Sequence, residues 1–144
     1  MKDSVGGSRR IVSSILLVAD SEDMRGVMRG ILELASCLEV CGEASDGEES
    51  IRKVRERKPD LIVLDLHIPW VLGLETARVL TAEFPQIPIL MVSRERSRQM
   101  YDEARKAGIR GYILSSEMFW RFLLAVRSVL AGGSYFSPDE FFHS

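Results

Sequence analysis

A chain of 144 residues, 46% of them hydrophobic, can bury one core of ordinary size but is too short for two. Its 19 basic and 21 acidic residues nearly cancel, which argues against the basic excess or stripe of a nucleic-acid surface, and no run approaches the roughly 20 apolar residues of a membrane span. Cys37 and Cys41 lie too near each other to staple a fold. With no further Cys and no nearby His to complete a metal site, both are expected to be reduced and buried, as in a cytosolic protein.

In chain order, residues 1–13 open small, polar and glycine-bearing, and read as a flexible N-terminal segment. "RRIVSSILLVAD" has the basic start and short apolar stretch of a secretory signal. Ser13 and Ser14 interrupt it, and what remains makes a good first strand, 15–19. Met24, Val27, Met28, Ile31, Leu32 and Ala35 then recur at three- and four-residue spacing, so they share one helix face. "LEVCGEA" (38–44) alternates, with Glu39 and Glu43 outward, as an edge strand does. Asp46 with Glu49 three residues on predicts a capping box for a helix through about Arg57, which Pro59 stops. "LIVLD" (61–65) is a buried strand. A helix from about Leu74 to Phe84 ends before Pro85, and "PILMV" (88–92) is the fourth strand. Segment 95–107 is the weakest helix, its apolar stripe only Met100, Ala104 and Ala107. "GYILS" (111–115) is the fifth strand, and Phe119, Phe122, Leu123, Val126, Val129 and Leu130 mark the last helix.

Helical crossovers between buried strands give a parallel sheet with helices on both faces. In such sheets, sites form at the carboxyl ends of the strands. Asp20 follows strand one, Asp65 ends strand three, Ser93 follows strand four and Ser115 ends strand five, so the fold predicts all four at one rim. Two carboxylates there repel each other unless a cation intervenes, and oxygen ligands of this kind suit Mg²⁺. With the metal bound, Asp65 can act as a nucleophile toward a phosphoryl group, and Ser93 can donate a hydrogen bond to it. The residues alone leave a second possibility, an acidic rim with capping serines, because Asp and Ser commonly cap at these ends.

"PDLIVLDLHIPWVLGLE" resembles the acceptor segment of the receiver domain of two-component response regulators, with a Pro four and a Gly eight residues after the acidic residue. "AGIRGYILS" and "LAGGSYFSP" are similar to the LuxR/NarL-type subfamily, whose receivers usually precede a helix-turn-helix DNA-binding domain. The resemblance covers essentially residues 14–138. It implies a flavodoxin-like (βα)5 doubly wound parallel sheet with strand order 2-1-3-4-5, a receiver over 14–133, and a tail or the start of a linker over 134–144. By that resemblance Asp65 matches the phosphoacceptor, Asp20 the acidic residue that contacts Mg²⁺, and the backbone carbonyl of His67 the third protein ligand. Ser93 matches the switch Ser/Thr. Tyr112 matches the aromatic residue that swings inward on activation, although a half-buried strand residue with a wet hydroxyl fits the sequence equally. The implied partners are a sensor histidine kinase and a second copy of the chain, in the cytoplasm. No direct nucleic-acid or membrane contact is implied, and no enzymatic activity beyond the domain's own phosphorylation and dephosphorylation.

Several positions depart from the family pattern. Ala19 stands where the family has the first of two adjacent acids, Arg94 where it has a small residue, and Ser115 where it has a lysine. Bulky Trp70 stands in the loop after the acceptor, where the subfamily commonly has Gly. A lysine about 4 Å from a phosphoryl group at an effective dielectric near 20 contributes of order 4 kcal/mol before desolvation. One neutral hydrogen bond from Ser115 contributes about 1 kcal/mol. The lysine's share of charge stabilisation is thus largely missing, and the absent acid at position 19 weakens the metal site's charge, so Mg²⁺ binding is expected to be weak, with Trp70 within reach as a fluorescence reporter. Arg94 either partly replaces the lysine or points to solvent. The changes also leave open an atypical receiver that acts as a phosphorylation-independent interaction module. Other classes fit less well. A flavodoxin-like nucleotide binder needs a phosphate loop where this chain has "ADSEDM". A D-x-D aspartyl-phosphatase needs an acid where it has His67, which reads as an exposed rim residue.

Overall fold

The computed structural model describes residues 11–65, 70–95 and 97–136, with Trp70 and Val71 described by backbone alone. Five of its strands are parallel neighbours in the order the resemblance implies, and a sixth is added at one edge. The elements are β1 (Ser13–Ala19), α1 (Glu22–Leu32), β2 (Leu38–Ala44), α2 (Gly47–Arg57), β3 (Leu61–Asp65), α3 (Trp70–Glu83), β4 (Ile89–Ser93), α4 (Arg98–Lys106), β5 (Gly111–Leu114), α5 (Met118–Leu130) and β6 (Tyr135–Phe136). The sheet order is β2-β1-β3-β4-β5-β6.

The strand pleat sorts the core into two layers. Ile15, Leu17, Leu61, Val63, Leu90, Val92 and Ile113 pack with Met28 and Leu32 of α1 and Phe122 and Val126 of α5. Leu16, Val18, Ile62, Leu64 and Met91 face the other way, toward Val54 of α2, Leu74, Ala77 and Leu80 of α3, and Tyr101 and Ala104 of α4. This two-sided burial is why the central runs are continuously apolar.

The helix ends follow local chemistry. Ser21, Asp46 and Ser97 each cap a helix by accepting the amide three residues on. The back half of the expected capping box shifts by one residue, since the Glu49 carboxylate accepts from the Ser45 amide at 2.7 Å. Helix α5 ends in a Schellman turn, with Gly132 N–H bonded to Val129 O and Gly133 N–H to Ser128 O. Gly132 has φ +94°, a left-handed conformation that a side chain resists. The turn sends the chain back to lay β6 beside β5. Cys37 is exposed and Cys41 half-buried, so neither is the core residue expected from the sequence. Strand β2 is a sheet edge, and Cys41 sits on it.

Candidate functional site

The carboxyl ends of β1, β3, β4 and β5 form one rim of the sheet. Asp65 closes β3 with only 2% of its surface exposed, and its Cα stands opposite that of Ala19, which is fully buried. Asp20, the next residue, is exposed at the start of the turn into α1. The chain thus places one sheltered and one open carboxylate at adjacent strand ends. Mg²⁺ takes one or two carboxylates and completes its shell with water or phosphate oxygens, so this donor pair fits it. His67, whose backbone carbonyl is the third ligand implied by the resemblance, lies outside the described residues. Among those residues no cluster of three or more His, Cys, Asp or Glu occurs.

An ion-pair strut that the sequence reading missed braces the β1–α1 turn. Arg25 donates to the carbonyl of Ala19 and, at 3.0 Å, to Glu43 of β2, while Arg29 reaches the other oxygen of Glu43 at 2.9 Å. Arg25 and Arg29 are four residues apart on one helix face, which is the available sequence signal. The Arg29 hydrogen bond, reinforced by Arg25, holds the Glu43 carboxyl below its ordinary value.

At β4, the half-exposed Ser93 turns its hydroxyl into its own loop. It accepts from the Glu95 amide at 3.2 Å and donates to the Glu95 carbonyl at 3.4 Å. The Tyr112 hydroxyl donates to that same carbonyl at 3.1 Å, from a side chain that is fully buried. Tyr112 is therefore directed inward here, and its hydroxyl is bonded rather than wet. Burial pushes the phenol above its ordinary value, while the Ser93 hydroxyl draws it partly back. Arg94 is exposed at the bend after β4.

Strand β5 ends at Leu114 rather than Ser115, which begins a short 3-10 turn over Ser115–Glu117. Glu117 is buried and accepts from the Leu114 amide at 2.9 Å, and it pairs with Arg121 at 3.1 Å. Arg121 in turn donates to the Tyr135 hydroxyl at 2.8 Å. A carboxylate turned inward thus finishes this strand, and the sequence signal for it was only an acid three residues beyond Leu114.

A parallel sheet with an acidic rim, a hydroxyl at the end of β4 and an inward tyrosine on β5 defines the receiver class. Residues 15–118 match the response regulator receiver domain family, and the chain belongs to it. It is 34% identical over 126 residues to the response regulator GacA of Pseudomonas viridiflava, a match covering 86% of this chain and 58% of that protein. A LuxR-family two-component response regulator from Aurantimonas sp. SI85-9A1 superposes with a TM-score of 0.82 at 30% identity, over 89% of this chain and 91% of that one. The response regulator domain of Thermotoga maritima CheB superposes with a TM-score of 0.75 at 27% identity, over 85% and 98%. The chain spans little more than half the length of the curated relatives it matches.

Proposed function

We propose that this receiver takes a phosphoryl group on Asp65 and passes the signal to an output segment. The observation that carries the reading is a carboxylate 2% exposed at the end of an otherwise wholly apolar strand, beside Asp20, in a chain of the receiver family. A carboxylate sheltered there is costly unless its site uses it. An Asp65 oxygen attacks the phosphorus of a phosphohistidine on a sensor kinase. The P–N bond breaks, its electron pair stays on the imidazole nitrogen, and an acyl phosphate forms.

Asp20 and Asp65, with the His67 carbonyl, would hold Mg²⁺, which when bound neutralises charge on the transferring oxygens. Ser93 then leaves its Glu95 contacts to donate to the phosphoryl group, and Tyr112 follows the loop it is bonded to. Ser115 offers one neutral hydrogen bond in place of a charge, so the acyl phosphate is less stabilised than with a lysine. The reaction is confined to the domain's own carboxylate and acts on no separate substrate.

The wider reading places the chain in the cytoplasm with a sensor histidine kinase as donor, self-association through the outer helices, and a DNA-binding output domain. It is supported by the GacA and LuxR-family relatives and by the absence, among the described residues, of a helix long and apolar enough to cross a membrane. Beryllofluoride with Mg²⁺, a phosphoryl mimic, tests the site. The amide resonances of Ala19, Asp65 and Ser93 should shift together, and Asp65→Asn should abolish the shifts. Unchanged spectra at millimolar Mg²⁺ would remove the acceptor role.

A further inference from the structure

Strand β6 is too short to hold itself in place, and side chains on both faces of the sheet secure it. Its backbone pairs with β5, Tyr135 opposite Gly111 and Phe136 opposite Tyr112, and the Tyr135 amide donates to Arg110 O at 3.0 Å. Gly111 makes the approach possible, because a Cβ there would lie 2.6 Å from Leu90 Cδ1 and 3.3 Å from the Tyr135 carbonyl. Tyr135 turns toward α5, where Arg121 holds its hydroxyl.

Phe136 turns to the opposite face. Its ring lies parallel to that of Tyr112, with centroids 6.5 Å apart and 5° between planes. Tyr101 of α4 meets it edge-on at 4.8 Å, and the Arg105 guanidinium sits 4.5 Å from its centroid. Aromatic pairs at this spacing and a cation over a ring each attract beyond what burial alone supplies. The Tyr112 ring is thus flanked by Phe136 on one strand edge, while its hydroxyl holds the Ser93–Glu95 turn.

We propose that Phe136 is a positioning residue for Tyr112, and that the C-terminal strand is a latch seated on the α4–β5 face, docked when Tyr112 is inward and loosened when it leaves. Ser93, the Glu95 carbonyl, Tyr112 and Phe136 thus form one line of contacts, two hydrogen bonds and a ring pair, that runs from the rim to β6. This deepens the receiver reading by naming the segment that senses Tyr112. Coupling of this kind is reciprocal, so Tyr112 must steady β6 by the same factor by which β6 steadies Tyr112.

Amide hydrogen exchange on the unphosphorylated full chain tests this without any phosphoryl donor, so a failed latch and a failed phosphoacceptor give different results. Tyr112→Phe keeps the ring but removes the bond to Glu95. It should speed exchange at the Tyr135 amide at least about fivefold, the lower end of typical couplings. Phe136→Ala should speed exchange at the Glu95 amide by a similar factor, and Phe136→Tyr should restore protection. If Tyr112→Phe leaves Tyr135 unchanged, or Phe136→Ala loosens β6 while Glu95 stays protected, β6 is only an extra strand and the proposal fails.

Discussion

Ala19 and Asp65 face each other at the end of two buried strands, and a single substitution there separates metal binding from stability. Ala19→Asp puts a second carboxylate next to the first, and like charges at that range oppose joint ionisation. The variant should unfold at lower denaturant than the parent in chelator, yet bind Mg²⁺ about tenfold more tightly by calorimetry, given Coulomb terms of a few kcal/mol at such distances. Equal Mg²⁺ affinity would show that Ala19 is not beside the metal. Tyr112 gives a second residue-scale prediction. Its phenol lies above the ordinary tyrosine value because it is buried. A group raised in the folded state stabilises the fold fully below its unfolded value, and that contribution is lost as pH rises through the folded one. Tyrosinate absorbance should therefore show a late step belonging to Tyr112, with unfolding following as it ionises, and Tyr112→Phe should delete that step. The inward pose of this ring was not legible in the sequence, because "GYILS" fits a wet hydroxyl as well as a bonded one. The Glu95 carbonyl that decides between them belongs to a different loop.

Among the elements, the central strands were legible because burial on both faces leaves a continuous apolar run, and α2 because Asp46 with Glu49 marks its start; the Ser21 and Ser97 caps went unread. Helix α3 begins at Trp70, four residues before the first apolar position that marked it, since its opening turn carries no clear face. Strand β6 escaped the sequence reading altogether, as two residues have no period. The Gly132 turn and the gap at Gly111 bring it to the sheet. Gly111→Ala should therefore cost about 1–3 kcal/mol by overpacking and release β6, seen as lost protection at the Tyr135 amide. The Arg25–Glu43–Arg29 strut was equally hidden, because Glu43 on an edge strand reads as solvated until α1 is laid over it. Glu43 is depressed below its ordinary value, so its contribution is present above the unfolded glutamate value and disappears as pH falls through the folded one. Glu43→Gln should be less stable than the parent by about 1 kcal/mol at pH 7, partly exposed pairs being weak. The two should converge only in acid, once the pH has fallen past the ordinary glutamate range and through the depressed folded value. A constant gap down to acid pH would mean the strut is not ionic.

For the whole molecule, the fold and the rim followed from five strands and their order. The surface proposed for self-association did not. Phe119, Trp120 and Leu124 on α5 are 76%, 64% and 57% exposed, on a helix whose other face is core. Sedimentation should show a reversible dimer that Trp120→Ser weakens, and a clean monomer at high concentration would contradict self-association through this face. Of the four aromatic residues in the 134–144 segment, Tyr135 and Phe136 dock on their own domain, and Phe141 and Phe142 lie outside the described residues. Asp65 is proposed to accept a phosphoryl group although Ala19 and Ser115 stand where the family has an acid and a lysine. Intact-mass spectrometry after incubation with acetyl phosphate and Mg²⁺ tests it most directly. The parent should gain a single phosphoryl adduct, absent from Asp65→Asn and absent in chelator. An unmodified parent, or an adduct that survives in Asp65→Asn, would contradict it.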